Sequence, residues 1–107
     1  AGKAGFITTL YVVIVPINYN DESQRTLADK IYNQLLGKVE VVLDDRDAKP
    51  GFKFKDWELI GIPYMIICGK RSNENIVEFK TRNDLSKVEI GSDEAIATII
   101  NQLNNIE

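Results

Sequence analysis

The residues best equipped for chemistry gather in one short stretch: Asp44-Asp45-Arg46, then Lys49, Phe52, Lys53, Phe54, Lys55 and Trp57. Two adjacent carboxylates could serve acid–base work or hold magnesium, a hard cation that takes oxygen ligands. On an extended chain, however, neighbouring side chains point to opposite sides, which makes Asp44 and Asp45 a poor joint site. The favoured reading has one aspartate pinning the loop while the other faces solvent or a partner. Arg46 offers a planar fork for a carboxylate, a phosphate or a guanine edge, and a salt bridge to a nearby acid is its simplest use. Phe52, Phe54 and Trp57 interleave with Lys53, Lys55 and Lys70, a mixture that suits the stacking of unpaired bases. Helical spacing equally suits a core, so Phe54 and Trp57 are assigned inward and Phe52 is left open.

Other chemistries are excluded by what the chain lacks. There is no histidine, so no Ser/His/Asp or Cys/His arrangement exists and the commonest metal ligand is missing. The single cysteine, Cys68, rules out an internal disulfide and a CxxC redox pair, and it reads as a small apolar residue within a strand. No Gly-rich phosphate motif is present; Pro50-Gly51 reads as a turn. The apolar runs Leu10–Ile17 and Ile62–Cys68 are far too short to cross a bilayer, and a reduced, cytoplasmic setting is expected. A net charge of −3 argues against indiscriminate coating of nucleic acid but leaves room for a local, base-reading contact. The chemistry points to a binding module without catalytic or metal residues.

The elements that must position these residues follow from hydrophobic patterning. With 107 residues, 44% of them apolar, the chain suits one domain, assigned to 10–107, after a flexible edge or linker over 1–9. Leu10–Ile17 reads as a strand buried on both faces. Asp21 with Gln24 resembles a capping box for a helix carrying Leu27, Ala28, Ile31, Leu35 and Leu36, which Gly37 ends. Val39–Leu43 is the second strand, and Asp44–Pro50 a turn. Phe52–Ile60 reads as a short helix with Phe54, Trp57 and Ile60 inward, closed by Gly61. Tyr64–Cys68, an antiparallel Ile76–Lys80, and Lys87–Ile90 complete about five strands. Gly91-Ser92 then caps a last helix with Ala95, Ile96, Ile99, Ile100 and Leu103 inward. The expectation is a three-layer α/β/α domain, its five-stranded sheet mixed but mostly parallel, with about three helices. Ligands of such sheets meet loops at the carboxyl ends of strands, here Asp44–Gly51 and Gly69–Arg71.

Read as one motif, Val41-Val42-Leu43-Asp44-Asp45-Arg46, then Pro50-Gly51-Phe52-Lys53-Phe54, then Glu58-Leu59-Ile60-Gly61-Ile62-Pro63 closely resembles the C-terminal, anticodon-binding domain of prolyl-tRNA synthetases, bacterial in type. Val15-Pro16-Ile17-Asn18, Gly69-Lys70-Arg71 and Val77-Glu78-Phe79-Lys80 fit the same pattern, which covers nearly all of residues 10–104. The resemblance implies a fold of that domain type and a grip on the anticodon loop of tRNA(Pro), whose second and third anticodon bases are guanines. It assigns Arg46 and Lys53 to guanine or phosphate, and Asp45 to orienting Arg46 or accepting from a base. Lys70 and Lys80 are assigned to backbone phosphates and Phe52 to stacking. ATP and Mg belong to a catalytic domain of the same polypeptide, outside these residues, so no cofactor and no aminoacylation is expected here. The parent enzyme is expected to be a homodimer and the isolated domain a monomer.

Three rival readings remain at this level. A threonyl-tRNA synthetase domain shares the architecture and a Pro-Tyr-Met…Cys-Gly strand like Pro63–Gly69, but the unbroken Asp-Asp-Arg with Glu-Leu-Ile-Gly-Ile-Pro favours proline. An accessory protein could have borrowed the synthetase domain. A receiver-like signalling domain is also acidic and α/β, yet its phosphoryl-accepting aspartate follows the third strand, where this chain has Cys68-Gly69.

Overall fold

The run Val12-Val13-Ile14-Val15 is β-branched throughout and lies at the centre of the sheet, where both faces are covered and alternation is not required. In the computed structural model, which describes residues 11–82 and 87–106, this run forms β1, Tyr11–Pro16, with Val12 to Pro16 buried. Leu10 and the proposed edge over 1–9 lie outside the described residues. The chain then builds α1 (Glu22–Leu35), β2 (Glu40–Leu43), α2 (Pro50–Ile60) and β3 (Tyr64–Cys68). A 3-10 turn at Ser72–Glu74 leads to β4 (Ile76–Thr81), β5 (Val88–Gly91) and α3 (Ser92–Ile106).

The strand order is β2-β1-β3-β4-β5. β2 and β3 flank β1 in parallel, while β3–β4 and β4–β5 pair antiparallel. Four of the five strands therefore point one way and only β4 runs against them, which is the mixed, mostly parallel sheet expected. The crossover β1–α1–β2 and the return crossover β2–α2–β3, which passes β1, run in opposite directions along the sheet and place their helices on opposite faces. On one face α1 and α3 cover Val12, Ile14, Ile66, Cys68, Val77 and Phe79. On the other, Phe54 and Trp57 of α2 pack on Val13, Val15, Met65 and Ile67. The three-layer α/β/α arrangement stands.

Helix ends show how local chemistry fixes the loops. Asp21 caps α1 by accepting from the Gln24 amide at 3.2 Å, but Gln24 returns the favour elsewhere, accepting from the Asn18 amide at 2.7 Å. The box thus ties the helix to the loop that leaves β1. Leu36, expected inward, is 54% exposed, because it has left helical geometry and Gly37 turns the chain at φ +87. Pro50-Gly51, read as a breaker, instead opens α2: proline is tolerated at the first helical position, where no intrahelical partner for its missing N–H is needed. Gly61 ends that helix in the left-handed region, as its type allows. Ile60, expected inward, is 68% exposed; the last turn overhangs the start of β1 and lines an open groove with Tyr11 and Pro63. Ser92 is buried at the start of α3, but its hydroxyl makes no hydrogen bond among the described residues, so the expected side-chain cap is not made. Asp93 and Glu94 answer the helix dipole there instead.

Cys68 is fully buried, and burial pushes its thiol up to about 12. We expect iodoacetamide at pH 8 to leave it unmodified until the domain unfolds, as mass spectrometry along a urea series would show. The same shift has a sign: its contribution to stability is complete below the free-thiol value of 9.0 and is lost as pH rises towards 12. Among the described residues no helix is long and apolar enough to cross a membrane.

Candidate nucleic-acid interface

Where β2 ends, the backbone runs one residue further along β1, the Asp44 amide donating to the Ile14 carbonyl at 2.9 Å. That extra rung buries the Asp44 carboxylate, leaving its side chain 1% exposed. A buried carboxylate must be paired, and this one is. It accepts from Arg46 Nε at 2.9 Å, from Arg46 Nη2 at 2.8 Å and from Trp57 Nε1 at 2.7 Å. The Arg46 amide adds a longer bond at 3.3 Å, closing a local turn. Burial alone would raise the Asp44 carboxyl, but the hydrogen bonds from Arg46 and Trp57 outweigh it and hold the group below its ordinary range.

Arg46 is gripped on its other side by Asp56, whose carboxylate accepts from Nη1 at 2.8 Å. These bonds raise the guanidinium above its ordinary value, so its charge is permanent. Three of its five N–H donors are used, two remain, and the side chain is 47% exposed. The result is a cation fixed in orientation before any partner arrives.

Beneath the loop, Lys53 is 1% exposed and donates to the carbonyls of Pro16 at 3.2 Å and Asp44 at 3.3 Å. These carbonyls end β1 and β2, where the sheet offers them no donor. Burial lowers the Lys53 ammonium below its usual range, and the charges of Asp44, Asp45 and Asp47 offset part of that. The Lys53 ammonium, assigned to guanine or phosphate, here faces two backbone carbonyls and clamps the ends of two strands.

The remaining assigned residues divide. Asp45 is exposed beside Arg46, and Phe52, in the first turn of α2, is 64% exposed. Lys70 is exposed just beyond β3. Lys80 does not reach this edge: it lies one residue before the end of β4, opposite Met65 near the start of β3, its side chain 15% exposed and paired with Glu58 of α2. Reading the sequence missed the Trp57–Asp44 and Asp56–Arg46 bonds. The first had a usable signal, since an inward tryptophan needs an acceptor for its N–H. The second joins exposed residues ten apart and had none.

Arg46, Asp45 and the start of α2 therefore stand at the carboxyl edge of β1 and β2, beside the point where the chain crosses from one side of β1 to the other. In open α/β sheets ligands bind at that switch point. The three-layer fold sets a fixed arginine, an exposed carboxylate and an exposed aromatic there, and the chain belongs to the anticodon binding domain family, whose profile matches residues 11–102. Within it, the relatives are proline–tRNA ligases. That of Fusobacterium nucleatum is 50% identical over 91 residues, 83% of this chain and 16% of the relative. That of Finegoldia magna is 45% identical over 100 residues, 92% of this chain and 17% of the relative. The crystal structure of prolyl-tRNA synthetase from Cryptosporidium parvum complexed with L-proline and AMP superposes with a TM-score of 0.76 at 25% identity, covering 91% of this chain and 21% of that one. The chain thus spans about a sixth of the length of the curated relatives it matches.

Proposed function

We propose that this domain grips the anticodon stem-loop of a proline tRNA in the cytoplasm, on behalf of an ATP-dependent proline–tRNA ligase whose catalytic domain belongs to the same polypeptide. The observation that carries this reading is Arg46, oriented by Asp44 and Asp56 with two donors still free beside the exposed Asp45. Two neighbouring N–H groups of one guanidinium match O6 and N7 of guanine, and a carboxylate matches its amino group. Unpaired loop bases expose both edges, so one base could use both residues. Phe52 supplies an exposed ring for a neighbouring base. With a net charge of −3, affinity must come from base contacts more than from phosphates.

Fluorescence anisotropy with a labelled proline anticodon stem-loop tests this. Changing either anticodon guanine to adenine should weaken binding by about tenfold, and Arg46→Ala should remove the preference at one of the two positions. Equal affinity for an unrelated stem-loop of the same length would sink the reading. Salt dependence should be shallow, because few phosphates are neutralised.

A further inference from the structure

At the opposite edge of the sheet from Arg46, where β1 and β3 begin, lies a groove of about 520 Å³. Its origin is local. Val13 of β1 faces α2, and two exposed side chains share that face: Val42, which stands opposite Val13, and Tyr11, two residues before it. α2 packs on β1 and β3 and leaves the edge strand β2 open on this side. Ile60 and Pro63 form the other wall, and the exposed Leu59 stands next to Ile60 on the last turn of α2. Arg82 is the one charged residue lining the groove among the described residues. A continuous apolar surface with a polar rim marks an interaction site.

The ends of the chain indicate what covers it. Tyr11, which opens β1, itself lines the groove. α3 starts at the far edge, where the Ser92 amide donates to the Asn75 carbonyl at 2.7 Å, and its 15 residues run back about 22 Å towards this one. Polypeptide adjoining the domain on either side therefore attaches beside the groove, and the curated relatives extend well beyond the span they share with this chain. A tethered surface meets the groove at an effective concentration of about millimolar, which favours it over a second copy or an unlinked protein.

One residue joins this surface to the arginine at the other edge. The Trp57 ring lines the groove, while its Nε1 donates at 2.7 Å to Asp44, the carboxylate that orients Arg46. Covering the ring excludes water from that bond, and a charge-assisted bond strengthens as its surroundings become less polar.

We propose that the groove docks the catalytic domain of the same polypeptide, through an apolar ridge with a carboxylate facing Arg82, and that Trp57 carries the contact to Arg46. The proposal rests on reading this domain as part of a proline–tRNA ligase. Docking then does more than hold the domain in place: it firms the hydrogen bond that fixes the arginine.

The test uses the full-length polypeptide. Ile60→Cys lies in the groove and Lys55→Cys on the exposed side of the same helix, and mass spectrometry follows their reaction with a maleimide. Ile60→Cys should react about tenfold more slowly. Ile60→Asp should weaken binding of the proline stem-loop about fivefold, and Ile60→Leu should restore it. Trp57→Phe keeps a ring but lacks the N–H, so it should weaken binding similarly, and Ile60→Asp should add nothing on top of it. Circular dichroism establishes that the variants are folded, and the labelling comparison needs no change to Trp57. Equal labelling of the two cysteines, or additive effects of Ile60→Asp and Trp57→Phe, overturns this inference while the anticodon reading stands. Protection of Ile60→Cys that vanishes on dilution gives the groove to a second copy and overturns it as well. No preference of the wild-type polypeptide for the proline stem-loop overturns the reading on which the inference rests.

Discussion

Asp44→Ala should be among the most damaging substitutions in the domain, costing about 3 kcal/mol of stability. Removing the carboxylate strands the Trp57 indole N–H, which it accepts at 2.7 Å, in a partly buried position with no replacement. It also frees Arg46 from the grip on Nε and Nη2 and leaves only Asp56 to hold it. For a domain of this size that loss lowers the melting temperature by roughly 10–20 °C. Asp44→Asn keeps the shape and one acceptor, so it should fall between the two. The pH dependence distinguishes charge from shape. The folded carboxyl lies below its free value of 3.8, so its stabilisation is complete above about pH 4 and is lost as pH falls through the folded value. Urea melts should therefore show a wide gap between wild type and Asp44→Asn at pH 7 and a narrower one at pH 3. A gap independent of pH would mean that the carboxylate charge contributes nothing.

The sequence pattern made the sheet legible because its strands are either buried on both faces, like Val12–Val15, or bounded by glycine and proline, like Tyr64–Cys68. The split of Asp44 and Asp45 into an anchor and an exposed acid was also readable, since alternation along extended backbone forces it. What escaped was register between elements. Whether a lysine on a short helix faces water or strand ends depends on where the helix lands, and nothing local to Phe52-Lys53-Phe54 encodes that landing. α2 illustrates the difficulty: it buries Lys53 while exposing Phe52, Leu59 and Ile60, the reverse of an ordinary amphipathic helix. Lys80 escaped for the same reason, its partner Glu58 lying twenty-two residues away on another element.

These placements explain how an acidic domain can still present selective cations. Lys53, Lys80 and Arg71 are engaged within the fold, so they add little to a diffuse positive field. Arg46 is engaged and yet half exposed, which trades long-range attraction for fixed geometry. A reader of specific bases gains from that exchange, because the donors are already oriented and little side-chain entropy remains to be lost on binding.

Lys53 carries the second large effect, and its variants separate support from contact. Lys53→Ala removes a fully buried side chain and leaves the Pro16 and Asp44 carbonyls without their donor, so a loss of about 3 kcal/mol is expected. Lys53→Met keeps the stem and relieves the cost of burying a charge, which should reduce the loss to about 1 kcal/mol near neutral pH. Because burial holds the folded ammonium below 10.5, that penalty is present in full below the folded value and fades as pH rises towards 10.5. Wild type should therefore gain on Lys53→Met in alkaline urea melts, and Cys68, common to both, cancels from the comparison. If Lys53 serves only as a clamp, Lys53→Met should bind the proline stem-loop with its guanine preference intact and lose affinity only as far as the 44–49 loop loosens. A folded Lys53→Met that loses discrimination at one guanine, with Arg46 unchanged, would instead show that the ammonium leaves its carbonyls to meet the RNA, and the clamp would be the resting state of a reading residue.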